Sequence, residues 1–138
     1  TVLTSITLPT TITTIGNNAF NGCTALTGAL EIPETVTTIG SNAFKQTAIT
    51  SLKLNEGLTT IGEAAFSTLS KVTGQLEIPS SVTSIGKNAF YKNGFTALKL
   101  NEGLTTIGEA AFIQNQNLDG TLSIPNSVKE IGRCAFIN

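Results

Sequence analysis

The chain has 138 residues, 40% hydrophobic and 12% charged, which suits one domain with a sizeable core. Eight Lys and Arg against nine Asp and Glu leave a net charge of −1, which gives no electrostatic basis for nucleic acid or an anionic membrane surface as partner. With no His, no Trp, no Met, one Arg (Arg133), one Asp (Asp119) and one Tyr (Tyr91), the commonest general base and metal ligand are missing from the start.

In chain order, the first segment carries apolar Leu3, Ile6 and Leu8 and stops at Pro9. Ile15-Gly16-Asn17-Asn18-Ala19-Phe20 follows, and this Ile-Gly-x-x-Ala-Phe hexamer recurs at 39–44, 61–66, 85–90, 107–112 and 131–136. Successive starts differ by 24, 22, 24, 22 and 24 residues, so two alternating coil types build a 46-residue double repeat, present three times. Residues 52–66 are identical to residues 98–112, exposed positions included, which points to recent duplication. In the second, fourth and sixth coils the strand follows Gly28, Gly74 or Gly120, and the third and fifth coils lack that glycine. The extra residues fall at corners, where a bulge leaves the packed positions undisturbed.

Within each coil the spacing is constant. Leu52-Lys53-Leu54 has the period of two expected of a strand with one buried face. Pro9, Pro33, Pro79 and Pro125 end the strand in four coils, because proline lacks a donor. Asn55-Glu56-Gly57 and Asn101-Glu102-Gly103 supply a turn in the other two. Glycine after each hexamer Ile marks a corner that needs unusual backbone angles or close approach, and the Ala-Phe pair is placed in a short helical or 3₁₀ turn opposite the strand. One coil cannot bury this stripe alone, so coils must stack, with parallel strands and like residues in ladders. Six of the seven phenylalanines form one such ladder: Phe20, Phe44, Phe66, Phe90, Phe112 and Phe136.

The run Leu-x-Ile-Pro-x-x-Val-Thr-x-Ile-Gly-x-x-Ala-Phe resembles the BspA-like (Treponema pallidum-type) class of leucine-rich repeats, over essentially the whole chain. The resemblance implies a repeat solenoid: a right-handed leucine-rich-repeat coil with a parallel β-sheet on the concave face and short turns, 3₁₀ or short helices on the convex face. Residues 1–138 then form a single domain of six coils of alternating length. The slot that holds Asn or Cys in the general leucine-rich pattern holds Thr11, Thr35, Gly57, Ser81, Gly103 and Ser127, so no buried asparagine ladder is expected. The resemblance further implies a bacterial or protist protein at the cell surface or secreted. The class is linked with adhesion to host matrix or cell-surface proteins and shares no binding residues that could be carried over; the missing catalytic residue types separately make this chain read as non-enzymatic. The resemblance also places a buried cysteine at the third position after the hexamer Phe, which is Cys23.

The most specific surface feature is the residue between the two apolar strand positions. With adjacent strands about 4.8 Å apart, Glu31, Lys53, Glu77 and Lys99 should form a lateral row of opposite charges, the candidate concave recognition strip. A solvated row that sets coil register is the simpler account of it. The neighbouring row (Ser5, Ala29, Ser51, Gln75, Ala97, Thr121) is small and uncharged, and neither row carries an aromatic anchor. Tyr91, Phe95 and Ile113, near corners, are expected to be partly buried. The Thr pairs at 13–14, 37–38, 59–60 and 105–106 read as a β-branched surface ladder.

Cys23 and Cys134 lie five coils apart, about 24 Å at strand spacing, too far to pair within one molecule. No catalytic residue, cofactor site or metal site is assigned, since the usual nucleophile, zinc and calcium arrangements cannot be assembled. No apolar run of about 18 residues is present, so no membrane insertion is expected in this segment. No leader precedes the first repeat, and the chain opens at Thr1 without Met, as a processed or excised segment would. Its ends look uncapped, which predicts either flanking sequence or end-to-end self-association.

Overall fold

The pair that leads into each hexamer is Thr-Ile in four of the six coils, β-branched at both positions, and it forms the element that runs unbroken through the molecule. The computed structural model describes residues 2–138. In it, β1 (Thr14–Ile15), β3 (Thr38–Ile39), β5 (Thr60–Ile61), β7 (Ser84–Ile85), β9 (Thr106–Ile107) and β10 (Glu130–Ile131) pair in that order as one six-stranded parallel sheet. Each threonine meets its counterpart one coil away, as at Thr14 with Thr38 and Thr38 with Thr60. The hydroxyls of Thr37, Thr59, Thr83 and Thr105 donate to the carbonyls of Thr13, Thr37, Thr59 and Thr83, so this row ties coil to coil.

A second set of strands, β2 (Thr27–Glu31), β4 (Ala48–Lys53), β6 (Gln75–Ile78) and β8 (Ala97–Leu100), is also parallel. It is not one sheet. β2 pairs with β4, and β6 with β8. Alternate residues Leu30, Leu52, Leu76 and Ile78 turn inward, and Glu31, Lys53, Glu77 and Lys99 turn out.

Beyond the hexamer Gly the backbone makes consecutive turns; there is no helix among the described residues. The expected helical or 3₁₀ segment is absent because the fourth hexamer residue (Asn18, Asn42, Ala64, Asn88, Ala110, Cys134) has φ between 51° and 60°. That left-handed conformation interrupts a right-handed helix and favours Asn among non-glycine residues. The amides go to the next coil instead: those of Asn18, Phe20 and Gly22 donate to the carbonyls of Ser41, Ala43 and Lys45. The unusual backbone angle therefore belongs to the residue two places after the hexamer glycine.

The glycine itself answers to close approach. A methyl group on Gly62 would lie 2.7 Å from the carbonyl carbon of Gly40, and one on Gly86 would lie 2.7 Å from the amide nitrogen of Glu63. Adjacent coils thus touch backbone to backbone at this corner. Inside it the six phenylalanine rings stack face to face, with centroids 5.0, 5.4, 5.5, 5.3 and 5.3 Å apart and planes within 13° of parallel. Phe95 is fully buried edge-on to Phe90, while Tyr91 and Ile113 are half-buried. At the two ends of the stack Val2, Leu3, Ile124, Ile131 and Ile137 are exposed.

Gly86→Ala is expected to lower stability by roughly 1–3 kcal/mol through backbone displacement. Gly16→Ala, with nothing within 4 Å of the new methyl, should leave the urea midpoint of this chain nearly unchanged. Phe66→Ala, which empties one rung of the stack, should cost about 3–5 kcal/mol in the same measurement.

Candidate functional site

The four strip residues all lie exposed on the β2, β4, β6 and β8 strands, as expected, but they do not form one row. Lys53 Nζ donates to Glu31 Oε1 at 2.7 Å, and Lys99 Nζ donates to Glu77 Oε1 at 2.7 Å. No ion pair joins Lys53 to Glu77 among the described residues, because β4 and β6 are not paired. The expected lateral row is therefore corrected to two separate pairs.

Repeat length is the reason. Strand pairing spans the 22-residue steps (31 to 53, 77 to 99) and fails at the 24-residue steps. At each long step the chain makes a last contact, Thr27, Thr73 or Asp119 donating its amide to Thr4, Thr50 or Thr96. It then enters Gly28, Gly74 or Gly120 at φ 89°, 82° and 92°, a conformation that turns the following strand away from the previous coil.

Each ion pair is braced by a residue read from the sequence only as a turn former. Asn55 Nδ2 donates to Glu31 Oε1 and to the carbonyl of Ile32; Asn101 Nδ2 does the same to Glu77 and Ile78. The following glutamates reach the other way. Glu56 accepts from the amides of Ser80 and Ser81, and Glu102 from those of Asn126 and Ser127. Asn-Glu-Gly thus clamps three consecutive coils where Pro only ends a strand. Its signal in the sequence was the swap of Pro for Asn-Glu-Gly in alternate coils.

These contacts set the charges. Hydrogen bonds from Lys53 and then Asn55 hold the Glu31 carboxyl below its ordinary value of 4.5, and Lys99 and Asn101 do so for Glu77. The Ser80 amide is the main cause of the lowered value at Glu56, and the Asn126 amide at Glu102. Glu109, between Arg133 (3.2 Å) and Lys87 (3.5 Å), is lowered chiefly by the Arg133 hydrogen bond.

The interior also holds what the sequence reading did not expect. Asn93 and Asn115 are buried three residues after Phe90 and Phe112, the slot that holds Cys23 in the first coil. Asn115 Nδ2 donates to the carbonyls of Phe90 (2.8 Å) and Phe112 (2.7 Å), and its oxygen accepts from the Asn93 amide. Asn93 in turn bonds the Phe66 carbonyl and the Leu69 amide. A short buried asparagine ladder exists after all; the expectation of none looked at the slot after the strand, and the ladder sits after the phenylalanine. Cys23 and Cys134 are free and half-buried.

Among the described residues no cluster of three His, Cys, Asp or Glu could hold a metal, and no helix is long and apolar enough to cross a membrane. What the geometry defines is a stacked-coil repeat protein whose polar groups sit in inter-coil clamps. The chain belongs to the BspA type leucine rich repeat family, matched in six copies over residues 1–119. No curated protein sequence matches it.

Solved structures with the same fold include a leucine-rich repeat protein from Bacteroides ovatus, at 20% identity and TM-score 0.58, covering 94% of this chain and 39% of that one. A second is the pneumococcal vaccine antigen PcpA (27%, TM-score 0.53, 91% and 34%). A third is a leucine rich cell surface protein from Faecalibacterium prausnitzii (22%, TM-score 0.50, 86% and 47%). The chain therefore spans between a third and a half of the length of these structures.

Asn115→Leu should destabilise the fold by roughly 2–5 kcal/mol, since it leaves buried carbonyls unpaired at about 1–3 kcal/mol each. Because the folded carboxyls lie below 4.5, their contribution is complete above that pH and is lost as pH falls through the folded values. The thermal midpoint should stay level from neutral pH to about pH 5 and drop below it. The drop should be shallower in Glu56→Gln/Glu102→Gln.

Proposed function

We propose that this chain is a non-enzymatic adhesion module of a cell-surface or secreted protein, contacting host matrix or neighbouring-cell proteins through the face formed by β2, β4, β6 and β8. The observation that carries the reading is the pair of outward Lys–Glu bridges, at least half exposed and repeated at an interval of 46 residues on a stiff scaffold. Loops and rigid repeats that hold polar groups outward are the usual substrate for recognition. The names of two solved relatives, a vaccine antigen and a cell surface protein, support the location. Aromatic anchors are missing from this face, so affinity for a protein partner comes from charge and shape over several coils.

A second reading, a spacer whose copies associate end to end, is favoured by the uniformity of the six-stranded sheet, in which each coil pairs with the next through equivalent residues. Light scattering at high concentration separates the two: a clean monomer removes the spacer-by-association reading. For adhesion, binding to an array of extracellular-matrix proteins at physiological salt should give a saturable signal. That signal should fall about tenfold or more in Lys53→Glu/Lys99→Glu, in line with the cost of like charges in contact. A blank array with folded protein overturns the adhesion reading.

A further inference from the structure

The long-strand face is not flat. Wherever a 24-residue step leaves two strands unpaired, the surface opens into a groove. One, of about 600 Å³, lies between residues 6–10 and β2; the next, of about 350 Å³, lies between β4 and β6. Their walls correspond position for position at an offset of 46 residues: Thr7 with Lys53, Ala29 with Gln75, Glu31 with Glu77, and Pro33 with Pro79. Ile6 and Leu8 in the first floor are matched by Leu52 and Leu54 in the second. A third, smaller hollow of about 180 Å³ contains Leu98 and Thr121 at the same offset, with Phe136 on its wall. The double repeat has thus made one subsite twice, with part of a third.

Three properties of the series select its ligand. The pitch is two coils, about 10 Å from twice the 4.8 Å strand spacing. The two larger grooves are open and have no aromatic wall, so a single occupied groove binds weakly. And the strand charges along it are already paired within the protein, Lys53 with Glu31 and Lys99 with Glu77, while Glu34 and Glu56 on the walls repel a polyanion. Weak equal subsites reward only a ligand that repeats at their own pitch. Folded protein surfaces do not repeat in this way, whereas linear polysaccharides do. A sugar ring also offers an apolar face to the Leu floor and hydroxyls to the amides of Gln75 and Asn55 on the wall.

We propose that the grooves along β2, β4, β6 and β8 bind a neutral, linear polysaccharide with a disaccharide repeat, laid along the stack with one repeat per double coil. The inference rests on the reading of this face as a recognition surface and adds a ligand class to it. The test is titration calorimetry of the 138-residue chain against linear β-1,4-glucose and β-1,4-N-acetylglucosamine oligomers, from disaccharide to octasaccharide. At least one series should bind, with affinity rising roughly tenfold or more per added disaccharide and levelling once three are present.

Gln75→Trp, which fills the middle groove, should abolish most of the length-dependent gain. Lys71→Trp, on an exposed residue outside the grooves, should leave it intact, and matching thermal midpoints confirm that both variants are folded. The proposal is overturned if neither series binds, if affinity does not change with length, or if Gln75→Trp binds the longest oligomer as the parent does. Matrix-protein binding that is sensitive to Lys53→Glu/Lys99→Glu, together with a blank oligomer series, would keep the adhesion reading and remove this one.

Discussion

Everything in this molecule depends on how closely one coil lies on the next. At the hexamer corner the approach is between backbones, and Gly40, Gly62, Gly86, Gly108 and Gly132 leave no room for a Cβ. That contact brings the amides of one coil within hydrogen-bond distance of the carbonyls of its neighbour, both in the Thr-Ile sheet and in the turns beyond it. It also sets the phenylalanine rings at a spacing where they stack nearly parallel. A solenoid held this way gains stability chiefly from nearest neighbours, so each rung counts and no distant contact can replace it.

Against that regular corner the opposite strands are free to vary, and they do so with the alternation of repeat length. Short steps bring strands into register and allow Lys53 to reach Glu31 and Lys99 to reach Glu77. Long steps insert a left-handed glycine and leave a groove. One face therefore alternates closed, charge-paired segments with open, partly apolar ones at a fixed pitch, a pattern that a strictly uniform repeat would not produce. The Asn-Glu-Gly turns keep the alternation rigid, because each bonds backward through Asn and forward through Glu.

The polar groups of the chain are mostly spent on the stack itself. Buried Asn93 and Asn115 satisfy carbonyls that the phenylalanine turns would otherwise strand in the core. No buried side-chain polar atom among the described residues is left without a partner. Exposed Glu31, Glu56, Glu77 and Glu102 are held ionised by hydrogen bonds from neighbouring coils.

The periodicity of 24 and 22 residues, the parallel stacking, the phenylalanine ladder and the family were all legible from residue order, because they follow from spacing and from apolar burial. So was the exposure of Glu31, Lys53, Glu77 and Lys99, since strand alternation alone directs a side chain outward. What spacing could not show is which neighbours a strand would bond. Residues 53 and 77 occupy equivalent slots in adjacent coils, yet the torsion taken up at Gly74 parts them. Likewise nothing in the spacing marked Asn115, and only the packed turn showed that the Phe90 and Phe112 carbonyls converge on it. Sequence determined the repeat and its buried stripe; the tertiary structure decided pairing and grooves, because these depend on backbone angles and inter-coil distances that no residue specifies alone.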